Sequence, residues 1–215
     1  MLNSFSSYIL TFGLVLCAFV ATSQRAMLLD FDYTKADSHA INYPDLRYDD
    51  AALLAKNLCE GYDTEHEKFR IIFRWITQNV EYKYGRQGTD PNEILRKGKA
   101  VCEGYTSLLE AMCRAVGLKC ETILGYSKSY VDFDIPLQMK EPTHSWNAIY
   151  LLGEWHLVDV TWSAGNFDPK RRKFKRSFDE TWFLTDPEFF IYSHYPVNLR
   201  WLLNNEPMKK RDFKR

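Results

Sequence analysis

The hydrophobic pattern of this chain changes its period at Gly117, and this change limits which fold the chain can adopt. Before Gly117, apolar side chains recur every three or four residues, as on one face of a helix: Tyr105, Leu108, Leu109, Met112 and Val116. After it, residues 119–126, 144–152 and 155–162 have a period of two and predict strands. Gly153 marks the turn between the last two. The chain is therefore predicted to be helical first and strand-rich later.

Three patterns upstream of this helix predict further helices. Residues 49–59 carry apolar side chains in helical register. Thr64 and Glu67 match a capping box, and a stripe with three- and four-residue spacing follows: Phe69, Ile72, Phe73, Ile76 and Val80. Asp90, which precedes a proline, is predicted to cap a short helix that ends near Gly98.

The composition excludes several classes of protein. Hydrophobic residues make up 46% and aromatic residues 15% of the 215 residues, which excludes a disordered or collagen-like chain. The 28 lysines and arginines balance the 28 aspartates and glutamates. This balance excludes a nucleic-acid binder driven by overall basic charge, and also a polyacidic protein. No internal repeat or Pro/Gly-rich linker divides the chain, so we expect one domain over residues 25–215, of unspecified oligomeric state.

The first 24 residues contain no charged side chain. Residues 8–21 form an apolar run whose helical length, about 21 Å, is shorter than the roughly 30 Å hydrocarbon core of a bilayer. Small residues at 21–23 then offer a cleavage site. This pattern predicts a signal peptide over residues 1–24 and a secreted or periplasmic domain. Two alternatives stay open, a lipid anchor at Cys17 and an uncleaved membrane anchor through the N-terminal segment.

Two basic clusters lie towards the C-terminal side of the chain, at residues 170–176 and 209–215. Each cluster is either a solvated loop or tail, or a patch that holds an anionic surface. A local patch of this kind is compatible with zero net charge.

Three residues carry the candidate chemistry. Cys102 is at or near the start of the predicted helix, where unpaired N–H groups and the helix dipole favour a thiolate and can bind an oxyanion. His144 opens one predicted strand, and Asp159 lies near the end of the next. An even-numbered hairpin loop puts both on one sheet face, where the carboxylate can hold one imidazole nitrogen while the other faces a thiol. The alternatives are a buried structural cysteine, a surface histidine and a turn aspartate.

These segments resemble three motifs of the transglutaminase-like superfamily. The run GKAVCEGY around Cys102 is similar to its nucleophile segment, and the runs HSWN at His144 and WHLVDVTW around Asp159 are similar to its histidine and aspartate segments. The tail is similar to the kyphoscoliosis-peptidase branch at residues 183–187, 194–196 and 201–203. The resemblance covers residues from about 65 to 205.

The resemblance implies an α+β, papain-like core in which the nucleophile helix packs on an antiparallel β-sheet. It implies that Cys102 is the nucleophile, that His144 is the general base and later the acid, and that Asp159 orients His144. The implied reaction is attack on an amide bond of a peptide or protein through a thioester, completed by water or by an amine. The family also includes non-catalytic members, so a silent binding or scaffold module is the alternative function.

Three further residues are candidates for the surroundings of this triad. Gln87 is the candidate second donor to the oxyanion, with an ordinary surface-loop glutamine as the alternative. Trp146 and Trp162 are candidates to line the site, with core packing as the alternative role for both.

The spacing of the cysteines and histidines predicts no metal site, and we expect no cofactor. Cys59, Cys102, Cys113 and Cys120 form no C-x-x-C pair, and the five histidines are scattered. If Cys102 is a free nucleophile, at most one disulfide can form among Cys59, Cys113 and Cys120. The alternative is three buried free thiols.

Overall fold

The computed structural model describes residues 24–44, 48–85, 87–128, 139–204 and 208–214. Nearly all of the predicted leader, residues 1–23, lies outside these ranges, as does Arg215 of the second basic cluster. Within the described ranges, no helix combines the length and the apolar character that crossing a bilayer requires.

Helices dominate the described chain up to Ala115. They are α1 (Thr34–Asn42), α2 (Ala51–Leu58), α3 (Glu65–Asn79), α4 (Pro91–Lys97) and α5 (Cys102–Ala115). Asp50, Thr64 and Asp90 cap three of them, because each side chain accepts hydrogen bonds from backbone N–H groups of the first turn. The predicted caps at Thr64 and Asp90 are therefore confirmed. The predicted end of α4 at Gly98 is confirmed too, since this residue adopts the left-handed conformation with φ of 59°.

Within the described residues, the strands form one main antiparallel sheet and two small ladders. In the ladders, β1 (Glu81–Tyr82) pairs with β2 (Lys99–Ala100), and β6 (Gly165–Asp168) pairs with β7 (Lys173–Arg176). The main sheet contains β3 (Cys120–Ser127), β4 (His144–Leu151), β5 (Glu154–Val158) and β8 (His194–Pro196), in the order β5-β4-β3-β8. Short helices accompany the later strands: α6 (Val160–Ala164), α7 (Pro187–Phe190), α8 (Lys210–Phe213) and the 3-10 turns Glu180–Trp182 and Leu199–Leu202.

The β4–β5 hairpin sets the register on which the candidate site depends. Its turn, Leu152–Gly153, has positive φ angles of 51° and 90°, as a two-residue type I′ turn requires. The even-numbered loop pairs Asn147 with Val158. In this register His144 and Asp159 lie diagonally on one face of the sheet, as the spacing predicts.

The prediction of a third strand over residues 155–162 is wrong beyond Val158. The chain turns there into α6, because the Asp159 carboxylate accepts hydrogen bonds from the backbone N–H groups of Thr161 and Trp162, at 2.9 Å each. A side chain that satisfies the first N–H groups of a helix favours the helix over continued pairing in the sheet.

The main sheet carries a different core on each face. Side chains of β4 alternate, so that Ile149 and Leu151 join the helices in the larger core, whereas Trp146 and Ala148 join an aromatic-rich cluster on the other face. That second cluster also contains Ile123, Leu157, Trp182, Phe190 and Trp201. Helix α5 packs on β3 and β4, so the expected α+β packing of this helix on an antiparallel sheet is confirmed.

A buried arginine joins the helical half of the chain to the 3-10 turn Glu180–Trp182. Arg70 of α3 is 3% exposed, and its guanidinium donates to both carboxylate oxygens of Asp37 on α1, at 2.6 and 2.7 Å, and to Glu180. Two residues later, the carbonyl of Trp182 accepts a hydrogen bond from the N–H of Asp159 at 2.9 Å. These contacts connect the aspartate of the candidate site to the helical core.

Gly125 of β3 is packed too closely for a side chain. A Cβ atom there would overlap the Trp146 ring and lie 2.5 Å from the carbonyl oxygen of Tyr195. We expect Gly125→Ala to lower the free energy of unfolding by about 1–3 kcal/mol, measured by urea denaturation, because the overlap can be relieved only by moving the backbone or a buried ring. Gly88→Ala is the matched control, since its nearest neighbour is the flexible end of Glu93. Equal losses in the two variants would contradict this prediction.

Candidate active site

Helix α5 begins at Cys102 without a side-chain cap. Its N-cap residue, Val101, provides no side-chain acceptor, whereas α2, α3 and α4 each have an aspartate or threonine in this position. The N–H groups of Gly104 and Tyr105 donate to the Val101 carbonyl. Those of Cys102 and Glu103 are therefore the ones available to an anion beside the Cys102 sulfur. Cys102 itself is half-buried and lies in the wall of a cavity.

Polar contacts between α5 and β4 bring His144 next to Cys102. Thr106 Oγ1 on α5 lies 3.3 Å from Ser145 Oγ on β4. The Thr106 carbonyl accepts a hydrogen bond from Asn147 Nδ2 at 3.2 Å. Cys102 in turn interacts with both His144 and Ser145. The helix and the strand are thus held together where the thiol meets the imidazole.

A buried carboxylate holds the imidazole of His144. Its Nε2 lies 2.7 Å from Oδ2 of Asp159, and since an ionised carboxylate only accepts hydrogen bonds, this nitrogen carries a proton. Nδ1 is left as the ring nitrogen for the thiol. Asp159 is fully buried, and its other oxygen, Oδ1, accepts the N–H groups of Thr161 and Trp162. The structure thus brings the predicted cysteine, histidine and aspartate together.

The electrostatics of these three groups favour a thiolate–imidazolium pair. Burial opposes the charged form of His144, but the adjacent Asp159 carboxylate raises the pKa of the imidazole to about 10. Burial also opposes ionisation of Asp159, yet the charge and hydrogen bond of His144 hold the pKa of this carboxyl well below its usual range. For Cys102, burial is outweighed by the hydrogen bond and charge of His144, which lower the pKa of the thiol.

A second histidine, to which sequence reasoning gave no role, lies in this network. His194 on β8 is buried, and its Nε2 lies 3.0 Å from Oδ2 of Asp159, the oxygen that His144 also contacts. Its Nδ1 lies 2.8 Å from Ser193 Oγ. His194 reaches Asp159, 35 residues away in the chain, because β8 pairs with β3. The sequence observation that could have indicated His194 is its position in residues 194–196, one of the tail segments with a family resemblance.

These three side chains are also close enough to bind a metal ion. Ligand atoms of His144, Asp159 and His194 lie within 4.8 Å of one another, although the sequence spacing predicts no metal site. Hydrogen bonding accounts for the cluster, because both Nε2 atoms lie at 2.7 and 3.0 Å from one carboxylate oxygen. A metal bound there would displace the protons that these two hydrogen bonds use. We therefore describe the cluster as a hydrogen-bonded network.

Two cavities adjoin at His144. One, of about 250 Å³, has aromatic walls that include Tyr82, Trp162, Phe167 and Trp182. The other, of about 580 Å³, is lined by Cys102 and by Tyr84, Glu103, Leu124 and Glu141, among others. Tyr82 and His144 line both cavities. The two cavities therefore form one cleft, which runs past the Cys102 thiol.

The three other candidate site residues differ in their positions. Trp162 lies in the cleft wall and stacks on His144, with ring centroids 5.4 Å apart. Trp146 is 1% exposed and packs in the aromatic-rich cluster, because its face of β4 is covered by Phe190. The structure therefore places Trp146 in the core and not in the cleft wall. Gln87 is half-buried and is absent from the walls of both cavities, so its role as a donor stays a prediction.

The other three described cysteines are buried free thiols. Burial raises the pKa of Cys59 to about 12 and the pKa of Cys113 well above its usual value. Cys113 and Cys120 contact each other as thiols. Among the cysteines that the structure describes there is no disulfide, in agreement with the alternative of three buried free thiols.

Comparison with known proteins identifies the family. The sequence model of the transglutaminase-like superfamily matches residues 52–160, a range that contains Cys102, His144 and Asp159. The chain belongs to the transglutaminase-like superfamily. It is 40% identical over 166 residues to human kyphoscoliosis peptidase and 34% identical over 175 residues to hillarin from Drosophila melanogaster, in each case over 74% of the chain.

These relatives are much longer proteins. The chain spans 25% of the length of human kyphoscoliosis peptidase and 21% of the length of hillarin. Among solved structures, one described as a TGase is 21% identical, with a TM-score of 0.41, over 66% of this chain and 39% of its own.

The lowered pKa of Cys102 predicts selective labelling by iodoacetamide. At about pH 6–7, Cys102 should be alkylated well before Cys59 and Cys113, because its thiol ionises below the usual pH and theirs ionise above it. His144→Ala removes the imidazolium, so the pKa of Cys102 should rise and its rate–pH profile should move to higher pH. Mass spectrometric peptide mapping measures the rates.

A matched histidine variant controls for general effects on the protein. His66 is half-buried on α3 and outside the cleft, so His66→Ala should leave the Cys102 profile unchanged. An unchanged profile in His144→Ala, or equal shifts in both variants, would contradict the assignment of the thiol–imidazole pair.

Proposed function

We propose that this protein is an exported cysteine-dependent enzyme that acts on amide bonds of peptides or proteins, as a peptidase, an amidase or an acyltransferase. One observation carries the proposal: a half-buried thiol at an uncapped helix start contacts an imidazole that a buried carboxylate holds at 2.7 Å. Membership of the superfamily, and similarity to relatives named as peptidases, support the same class of reaction.

The geometry supports an acylation stage on Cys102. The thiolate attacks the carbonyl carbon of the amide, and the carbonyl oxygen takes up negative charge. The N–H groups at the start of α5 lie beside the sulfur and stabilise that charge. The imidazolium of His144 then gives its Nδ1 proton to the leaving nitrogen as the C–N bond breaks. An acyl thioester remains on Cys102, and the amine departs.

A deacylation stage returns the enzyme to its starting state. Neutral His144 accepts a proton from water or from an acceptor amine as that group attacks the thioester carbonyl. The C–S bond breaks, so that the Cys102 thiolate and the imidazolium are restored. Asp159 stays ionised throughout and orients the ring. Water yields a carboxylic acid and an amine yields a new amide, so the acceptor that enters the cleft decides between hydrolysis and transfer.

The cleft supports a polypeptide as the substrate. One cavity extends from His144 along the ring of Trp162, and the other extends past Cys102 to Tyr84 and Glu103. A chain whose scissile amide lies at Cys102 can therefore be bound on both sides of that bond. The aromatic walls favour apolar or planar groups on the Trp162 side.

The first basic cluster, residues 170–176, belongs to the β6–β7 hairpin beside the cleft. Phe167 of β6 lines the smaller cavity, and Tyr84 of the larger one stacks on it with centroids 5.9 Å apart. Arg172 lies over Tyr84, 5.9 Å from the ring centroid. These contacts support a role for this cluster in holding an anionic surface next to the site. The second cluster, described over residues 209–214, includes α8 and is proposed for the same role.

Trapping the acyl-enzyme tests the proposed function. After incubation with a peptide library and an acid quench, mass spectrometry should find an acyl group on Cys102, and its mass identifies the substrate. Cys102→Ala and His144→Ala should each lower turnover by on the order of 10⁴-fold or more, because the triad acts as a unit. Cys120→Ala, a cysteine variant outside the cleft, should keep both the adduct and the turnover.

A non-catalytic binding or scaffold module would give a different result. Peptides would then bind and be released unchanged, and Cys102→Ala would bind them as the wild type does. The enzymatic proposal is wrong if no acyl group forms on Cys102 under conditions in which iodoacetamide labels this thiol fast.

Export through the uncharged segment 1–24 predicts a processed N-terminus. Expression in a secreting host should yield protein in the medium or periplasm whose first residue is at or next to Gln24, as mass spectrometry determines. Leu14→Arg places a charge inside the apolar run and should block export. Ser4→Arg places the same charge before the run, where signal peptides accept it, and should be exported. A lipidated Cys17 or a retained N-terminal segment would contradict the prediction.

A further inference from the structure

His194 shares one carboxylate oxygen with His144, and the reaction proposed above does not use it. We propose that His194 is a positioning residue: as a neutral imidazole with its proton on Nε2, it fixes the Asp159 carboxylate and tunes the acidity of His144. The inference rests on the proposed function for its effect on turnover. The state of His194 itself is independent of that function.

The hydrogen bonds of His194 determine its tautomer. Oδ2 of Asp159 only accepts hydrogen bonds, so the Nε2 of His194 at 3.0 Å must be the donor. In a neutral ring the other nitrogen is then unprotonated and can only accept. The Ser193 hydroxyl lies 2.8 Å from Nδ1 and 3.3 Å from the Phe190 carbonyl oxygen, so the shorter contact assigns its proton to Nδ1. Both ring nitrogens are thereby satisfied without a positive charge.

The surroundings of His194 keep it neutral. Phe190 stacks on the ring with centroids 4.0 Å apart, and the centroid of Trp162 is 4.4 Å away. The titratable groups that face it are Asp159, through the hydrogen bond, and His144, whose ring centroid is 5.4 Å away. Burial lowers the pKa of His194 to about 4, although Asp159 favours the charged form. The surroundings of Oδ2 therefore favour the charged form of His144 and the neutral form of His194.

The hydrogen bond that His194 donates to Oδ2 changes the effect of Asp159 on the pKa of His144. The hydrogen bond from His194 stabilises the carboxylate charge, so its loss leaves that charge free to act more strongly on His144 and to raise the pKa of this imidazole. A more basic imidazole is a weaker acid once protonated, and it gives its proton to the leaving amine less readily. The same bond also keeps the carboxylate from rotating away from His144.

Nitrogen-15 NMR of the histidines tests the proposal without an assay of activity. The signals of His194 should be those of a neutral ring with the proton on Nε2, unchanged between about pH 5.5 and 8. Protonation of both nitrogens in this range, or a proton on Nδ1 alone, would overturn the assignment. Addition of EDTA should change nothing, and a His194 signal that moves with EDTA would show a bound metal ion and also overturn it.

Two substitutions separate the hydrogen bond from the volume of the ring. His194→Phe keeps a ring that can stack on Phe190 and removes the donor, whereas His194→Gln keeps an N–H donor of similar reach. In His194→Phe the titration of His144 should move to higher pH and turnover should fall by about tenfold, the factor expected for a hydrogen bond to a charged group. His194→Gln should restore both to within about threefold of the wild type.

The two proposals fail in distinguishable ways. If no acyl group forms on Cys102, the enzymatic function fails, while the NMR spectra still decide the tautomer of His194 and its effect on His144. If the acyl-enzyme forms but His194→Phe leaves the His144 titration unchanged, the positioning role fails alone, even where turnover falls. Thermal unfolding of both variants shows that the proteins compared are folded.

Discussion

The architecture around the cleft depends on burying one negative charge, that of Asp159. A buried carboxylate is strongly destabilising unless hydrogen bonds and opposite charge surround it, and here each of its oxygens accepts two hydrogen bonds. The donors come from three separate elements: the first turn of α6, His144 on β4 and His194 on β8. Each of these elements donates hydrogen bonds to the Asp159 carboxylate, and those hydrogen bonds in turn fix the position of the element. The end of β5, the hairpin register and the edge strand are therefore determined together.

The start of α5 has the opposite arrangement. Asp50, Thr64, Asp90 and Asp159 cap other helices, whereas α5 follows Val101 and has no side-chain cap. A missing cap costs about 1 kcal/mol of helix stability. Here the packing of α5 between the helical core and the sheet offsets that cost. Helix α1 also starts without a side-chain cap, so the feature particular to α5 is the thiol of its first residue, beside which unpaired N–H groups can stabilise the oxyanion of the proposed reaction.

Membership of the superfamily accounts for the core of the site but not for all of its network. The family match ends at residue 160, and the segment beyond it supplies Trp162, Trp182 and His194. Trp182 packs against Trp162 and against His194, and the two tryptophans line the cleft. The residues that complete the network thus lie in the C-terminal third of the chain, where β8 pairs with β3.

Features that depend on near neighbours in the chain could be predicted from the sequence alone. The cap at Thr64, the change of period at Gly117 and the even-numbered turn each arise from contacts within a few residues, so local patterns contain them. The covering of Trp146 and the completion of the network by His194 became visible only in the folded structure. The satisfaction of a buried charge and the covering of a sheet face require residues from distant segments, and periodicity holds no information about which segments meet.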